Sequence, residues 1–202
     1  MEVGLLYSGG TDSTLAALLL DPVCDVVLLG AAFGITDDYE HARRAAGAVG
    51  FPFERLALDR SVAEEAVQRM LADGYPRHGI QQVHEHALER AARAGFDAVA
   101  DGTRRDDRVP TVEPSLAQSI EDRHDISHLA PLAGVGRGAI DTLADSHLVV
   151  ETGPSEEIQK GDYETELRAL LASEHGPERV ADVFPAHTQS RVTGLTERSP
   201  LR

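Results

Sequence analysis

A buried-strand pattern, Glu2 to Tyr7 (EVGLLY), breaks into six small and polar residues, Ser8-Gly9-Gly10-Thr11-Asp12-Ser13, and resumes as an apolar helix pattern from Ser13 to Leu20. Two adjacent glycines at a strand exit permit close backbone approach and unusual dihedrals, and Ser8, Thr11 and Ser13 add hydroxyl donors. Such a turn gathers N–H groups at a helix N-terminus, where the macrodipole favours an anion, so phosphate is the expected guest. Asp12 repels phosphate unless it holds a cation or, as Ser13 also can, caps the helix; Mg²⁺ bridging it to pyrophosphate oxygens resolves the conflict. A turn that only caps a helix is the alternative, yet a cap requires less than a Gly-Gly pair flanked by serines.

The rest of the chain alternates. Residues 25–33 (DVVLLGAAF) form a near-continuous apolar run, which suits a parallel strand covered on both faces. Small apolar residues recur at helical spacing over 37–49, ended by Gly50 and Pro52, and a third strand is expected over 53–58. Helices over 61–72 and 79–94 lead to a fourth strand reaching Ala100, followed by helix 115–123, extended 126–129, helix 137–145, extended 147–150 and an amphipathic helix over 162–173. This order predicts an α/β fold, a Rossmann-like, doubly wound parallel sheet of about five strands with helices on both faces. Residues 1–175 read as one nucleotide-binding domain and 176–202 as a C-terminal extension. Ligands of such sheets bind beyond the carboxyl ends of the strands, where strand order reverses. If the first and fourth strands are neighbours there, SGGTDS faces DGTRRDDR, residues 101–108.

Charge narrows the partners. Acidic residues number 34 against 19 basic ones, the net charge is -15, and the single lysine is Lys160. That balance argues against broad phosphate-backbone binding and leaves a local arginine cluster to meet RNA or a nucleotide. Scarce lysine with abundant Asp and Glu resembles proteins of salt-in halophilic archaea, where concentrated salt screens self-repulsion. Cys24 is the only cysteine, which excludes an internal disulfide and any CxxC set; a buried structural thiol is expected. The longest wholly apolar run, Leu15 to Leu20, falls far short of the roughly 20 residues that span a bilayer, and Glu2 with a strand-like start is unlike a signal peptide. No membrane association and a cytoplasmic location are therefore expected.

Neither G-x-x-x-x-G-K-[ST] nor a G-x-G-x-x-G after the first strand is present, and GVGRGA (134–139) has the wrong spacing. Residues 8–13 instead match S-G-G-x-D-S at all specified positions and resemble the pyrophosphate loop of the ATP-pyrophosphatase (PP-loop) superfamily, the adenine nucleotide alpha hydrolase-like proteins that include the ATP pyrophosphatase domains of asparagine synthetase and GMP synthetase. DGTRRDD (101–107) resembles that superfamily's G-T/H-x-x-D-D segment, and LAPLAGVGRGAI (129–140) its later proline-leucine segment with a following basic residue and helix. The likeness covers roughly residues 1 to 150.

The resemblance implies an enzyme that binds ATP and Mg²⁺, attacks the α-phosphorus with a substrate oxygen, releases pyrophosphate, and lets a nitrogen or similar nucleophile displace AMP. Positioning and charge neutralisation can supply most of the rate enhancement. Carried over, Ser8, Gly9, Gly10, Thr11, Asp12 and Ser13 would cradle the β- and γ-phosphates, with Asp12 on Mg²⁺. Ala32, Phe33 and Gly34 would border the adenine; Gly102 and Thr103 would approach the α-phosphate or ribose; Asp106 or Asp107 could hold a second Mg²⁺. Arg104, Arg105, Arg108, Arg137 and Lys160 are candidates for phosphate or substrate contacts, Arg104 and Arg105 acting beside Asp12, Asp106 and Asp107 in catalysis. The acceptor is a small molecule or tRNA. One cysteine excludes thiolation by a cysteine pair, and no glutamine-hydrolysing domain is present, so ammonia would arrive free or from a partner protein; a homodimer is left open. A non-catalytic module that senses ATP or AMP is the alternative, with less need for two sets of Mg²⁺ ligands.

The remaining polar clusters read more plainly. TRRDDR also suits a self-paired surface loop. HEH (84–86) lacks metal-site spacing and is expected on a polar helix face; His124 and His128 are expected at the surface. HTQSRV (187–192) reads as an extended polar tail, or as a segment that closes over the nucleotide or contacts a partner, and KGDYETELR as a capped amphipathic helix.

Overall fold

The computed structural model describes residues 1–155, 157–158 and 160–197, so residues 198–202 of the expected C-terminal extension lie outside the described residues. In chain order the elements are β1 (Glu2–Leu6), α1 (Thr11–Leu20), β2 (Asp25–Ala32), α2 (Tyr39–Val49), β3 (Phe53–Ala57), α3 (Arg60–Asp73), α4 (Arg77–Ala92) and β4 (Ala98–Ala100). There follow α5 (Pro114–His124), β5 (Ser127–Leu129), α6 (Arg137–His147), β6 (Leu148–Pro154), α7 (Tyr163–His175), α8 (Glu178–Val183) and β7 (Thr188–Leu195).

β1 to β5 build the expected all-parallel sheet of five strands, in the order β3-β2-β1-β4-β5. Period-2 alternation along the strands divides the apolar residues between two faces. Val3, Leu5, Val26, Leu28, Ala98 and Ala100 pack on one side with Leu15 and Leu18 of α1, Ala42 and Ala46 of α2, and Ile140 of α6. Leu6, Leu29, Ala31 and Val99 face the other way, against Val67 and Met70 of α3, Val83 and Leu88 of α4, and Leu167 and Leu170 of α7. Both faces are covered, which is why β2 carries no polar alternation. Cys24 is half-buried against the α1 face. No helix among the described residues is long and apolar enough to cross a membrane.

HTQSRV does not end as a loose tail. Most of it lies in β7, which pairs antiparallel with β6 in a second, two-stranded sheet and buries Val192 in the α1 face. β1 has β2 on one side and β4 on the other, so the sheet's strand order reverses at β1/β4, where the loops leaving both strands stand side by side.

A candidate nucleotide site at the strand-order reversal

The β1–α1 loop is held from behind. Gly161 N–H donates to Ser8 O at 3.2 Å, and Val192 N–H of β7 donates to Gly9 O at 2.9 Å. Thr11 Oγ1 and Ser190 Oγ share a hydrogen bond of 2.8 Å. With those carbonyls occupied, the N–H groups of Thr11, Asp12 and Ser13 open the helix without intrahelical acceptors. Gly9 has φ +80°, and a Cβ there would stand 3.3 Å from Ala42 Cα, so both conformation and space call for glycine. Ser8 Oγ accepts from Gly10 N–H at 3.3 Å and lies 3.4 Å from Ser13 Oγ. Neither Asp12 nor Ser13 caps α1: the N-cap is Gly10, and the Ser13 and Thr14 hydroxyls turn back onto Gly10 O at 3.3 and 2.8 Å. Tyr7, just below the loop, hydrogen-bonds Thr14 Oγ1 at 3.1 Å; burial pushes its phenol up to about 12, against the smaller opposing effect of that bond.

The β4 loop packs directly on this turn, since a Cβ on Gly102 would stand 3.0 Å from Ser13 N and Cα. Arg104 bridges the two loops. Its Nε lies 3.3 Å from Asp12 Oδ2, and its guanidinium is paired with Asp107, which also accepts from Arg104 N–H at 2.7 Å. Arg104 Nη1 is buried without a hydrogen-bond partner among the described residues, 3.9 Å from Asp106 Oδ1. Burial raises the Asp12 carboxyl above the usual range, an effect that Arg104 opposes. Lys160, the single lysine, leans over the loop: its Cε stands 2.8 Å from where a Gly10 Cβ would be, and its Nζ lies 3.4 Å from Asp162.

A cavity of about 340 Å³ opens here. Of the residues expected at the site, Ser8, Asp12, Ser13, Gly102, Thr103, Asp107 and Lys160 line it, and Gly9, Gly10 and Thr11 form the loop behind. Others are placed elsewhere. From β2 only Ala31 lines the cavity; Ala32, Phe33 and Gly34 do not, because the turn after β2 is wrapped around a buried carboxylate, Glu166 of α7, which accepts from Phe33 N–H at 2.7 Å and Ile35 N–H at 2.8 Å. Arg105 is exposed and donates to Gly134 O at 3.4 Å. Arg137 is exposed and paired with Asp141 at 2.8 Å, while Arg108 is exposed outside the lining. Asp106 accepts from Arg137 N–H at 2.8 Å, which with the nearby Arg104 holds its carboxyl below the usual range. No cluster of three or more His, Cys, Asp and Glu side chains suited to a metal occurs among the described residues.

Two histidines correct the expectations. His84 is not on a polar helix face: it is 4% exposed, lines the cavity, and its Nδ1 is 2.8 Å from Tyr163 Oη. His128 is not at the surface: its Nε2 is 2.7 Å from Asp101 Oδ2 in a pair 4% and 1% exposed, while His124 is mostly covered and paired with Glu89. Asp101 also accepts from Thr103 N–H at 2.7 Å. Burial pushes the Asp101 carboxyl up, but the bond from His128, the nearby His84 and the bond from Thr103 together outweigh it and hold the carboxyl below its ordinary range. A signal for His84 existed in the apolar stripe Ile80, Val83, Ala87, Leu88 and Ala91, whose helical spacing includes position 84 and excludes 86. Asp101 and Tyr163 offered no such signal.

Comparison with known proteins follows the same chain length. A model of a family of unknown function, DUF7411, matches residues 1–194. An uncharacterized protein of Methanocaldococcus jannaschii, MJ0690, is 38% identical over 197 residues, 96% of each chain. A crystal structure of a protein from the same organism, described as a predicted subunit of tRNA methyltransferase, superimposes with a TM-score of 0.89 at 36% identity, over 98% of this chain and 99% of that one.

Proposed function

The chain belongs to the DUF7411 family, and we propose on that premise that it is an ATP-dependent enzyme acting as a subunit of a tRNA-modifying assembly. In this reading an acceptor oxygen attacks the α-phosphorus of ATP, the bond to the bridging oxygen breaks, and pyrophosphate leaves with the electron pair. A nitrogen or similar nucleophile then displaces AMP from the adenylated acceptor. The observation that carries the proposal is the Gly9-Gly10 turn: its carbonyls are bonded from behind by Gly161 and Val192, and its helix N-terminus opens onto a cavity shared with Gly102, Thr103 and Lys160. That arrangement supports the reading of the loop as an anion site for a triphosphate. The tRNA acceptor rests on the structurally similar protein from M. jannaschii.

The loop N–H groups would take the β- and γ-phosphates, and Lys160, which lines the cavity, would meet the charge that develops on pyrophosphate, while Arg104 stays paired with Asp12 and Asp107. Asp12 and Asp107 fit a Mg²⁺ carried in with the triphosphate, because such an ion takes one or two carboxylates and fills its remaining positions with phosphate oxygens and water. Bound there, it would supply charge neutralisation. Asp106, turned to the Arg137 backbone, fits less well.

ATP labelled at the α- or γ-phosphate, incubated with purified protein, Mg²⁺ and total archaeal tRNA, tests the reading. Labelled AMP with pyrophosphate is expected; ADP with phosphate overturns it. Asp12→Asn is expected to slow turnover roughly 100-fold while changing ATP affinity by less than about tenfold, and unchanged turnover removes Asp12 from its role. One observation favours a second reading, the sensor: Arg104 already ties Asp12 to Asp107. Tight Mg²⁺-dependent ATP binding without turnover would select it.

A further inference from the structure

His84 enters neither the phosphate end of the cavity nor the Mg²⁺ site. It sits on the apolar stripe of α4, where an imidazole with an unsatisfied nitrogen costs stability, and its Nε2 is buried without a partner among the described residues. Leu6, Ile80, Val109 and Pro110 line the same cavity and give this part of its wall an apolar surface, with the Asp101 and Asp107 carboxylates also in the lining. That wall is fixed in place: Gln81 of α4 accepts from Thr111 N–H at 2.9 Å and donates to Thr111 O at 2.8 Å, binding the Val109-Pro110 segment to the helix that carries His84.

The hydrogen bonds assign the ring's proton. Tyr163 Oη meets His84 Nδ1 at 2.8 Å, and no other acceptor for the phenol is seen among the described residues. With the phenol as donor to Nδ1, the arrangement on which the inference rests, a neutral ring carries its hydrogen on Nε2. Burial, the largest influence, keeps the ring neutral by lowering its affinity for a proton. A neutral N–H donor beside these apolar side chains suits a flat, uncharged ring presenting a lone pair.

We propose that His84 Nε2–H, oriented by Tyr163, is the specificity-determining donor that holds a carbonyl oxygen or ring nitrogen of an uncharged planar heterocycle in this cavity. The inference rests on the proposed function in placing that heterocycle beside a bound triphosphate; it is the base of the acceptor, with the adenine of the nucleotide as the other source of the same chemistry.

Ring-¹⁵N-histidine protein, followed by long-range ¹H–¹⁵N correlation, gives the test. A protonated Nε2 in His84 is expected, and its signal should shift on adding uridine or cytidine to protein saturated with Mg²⁺ and α,β-methylene-ATP. A shift with the ATP analogue alone assigns the bond to adenine. An unprotonated Nε2, or no shift with either probe, overturns the proposal. In the pyrophosphate-release assay with total tRNA, His84→Leu should raise KM for tRNA about tenfold with kcat nearly unchanged, and His84→Gln, which keeps a neutral N–H, should restore most of it. A fall in kcat alone, with KM unmoved, also overturns it. Failure of wild-type protein to bind the ATP analogue would sink the nucleotide reading, whereas a nucleoside-induced His84 shift would survive it.

Discussion

The cavity's two walls are made by opposite means. On the β1–α1 side the working groups are the backbone N–H donors of Thr11, Asp12 and Ser13, in a loop whose Ser8 and Gly9 carbonyls are held by Gly161 and Val192. On the α4–β4 side they are side chains, His84, Asp101, His128 and Tyr163, brought together from four separate elements or their ends. The first wall depends on what side chains are absent, the second on what each buried polar atom meets. Substitution should therefore injure them differently: the backbone wall through space and dihedral angle, the side-chain wall through stranded polar groups.

The largest expected effect is on the side-chain wall. Asp101→Ala leaves His128 Nε2 and Thr103 N–H buried without their acceptor and should lower unfolding stability by about 3 kcal/mol in a denaturant titration. A loss below about 1 kcal/mol would mean that water replaces the carboxylate and that the contrast is weaker than drawn. Next comes Gly9→Ala, which places a Cβ at positive φ beside Ala42 and should cost about 1–2 kcal/mol while weakening ATP binding more than its stability cost explains. If ATP binding is unaffected, the loop is not the phosphate wall.

The smallest effect is a slope. His84 is held below the ordinary imidazole range by burial. Below about pH 6.5 the unfolded chain takes up a proton that the folded ring refuses, so stability drops as the pH is lowered and levels off once His84 itself protonates. His41 and His86 are displaced in the same direction and add to the slope. His84→Leu should flatten it between about pH 7 and 5, read from urea midpoints; an unchanged slope would place the titration in the other two rings.

That division also explains what could be read from residues alone. The parallel sheet was legible because Val26 to Leu29 of β2 and Val3 to Leu6 of β1 are apolar without polar alternation, and the loop because its residues are contiguous and constrained by glycine. Tertiary pairing was not. Asp101 begins a visible motif, yet its partner His128 lies 27 positions on, and the Glu166 carboxylate reaches the turn after β2 from 133 positions away. His84 was misplaced because neighbouring polar residues outweighed its position on the stripe of Ile80, Val83 and Ala87.

The hydrogen bonds from β7 to the first loop bear on the order in which the molecule can be made. Residues 8–13 leave the ribosome early, but Gly9 O finds its partner only when Val192 has been synthesised, and Thr11 Oγ1 waits for Ser190, 179 positions later. During translation the sheet can gather around a β1–α1 loop that lacks its rear support. Nascent chains halted before residue 188 should then hold β1 and α1 without the finished loop, so a motif translated well before its partners would be among the last to reach its final form.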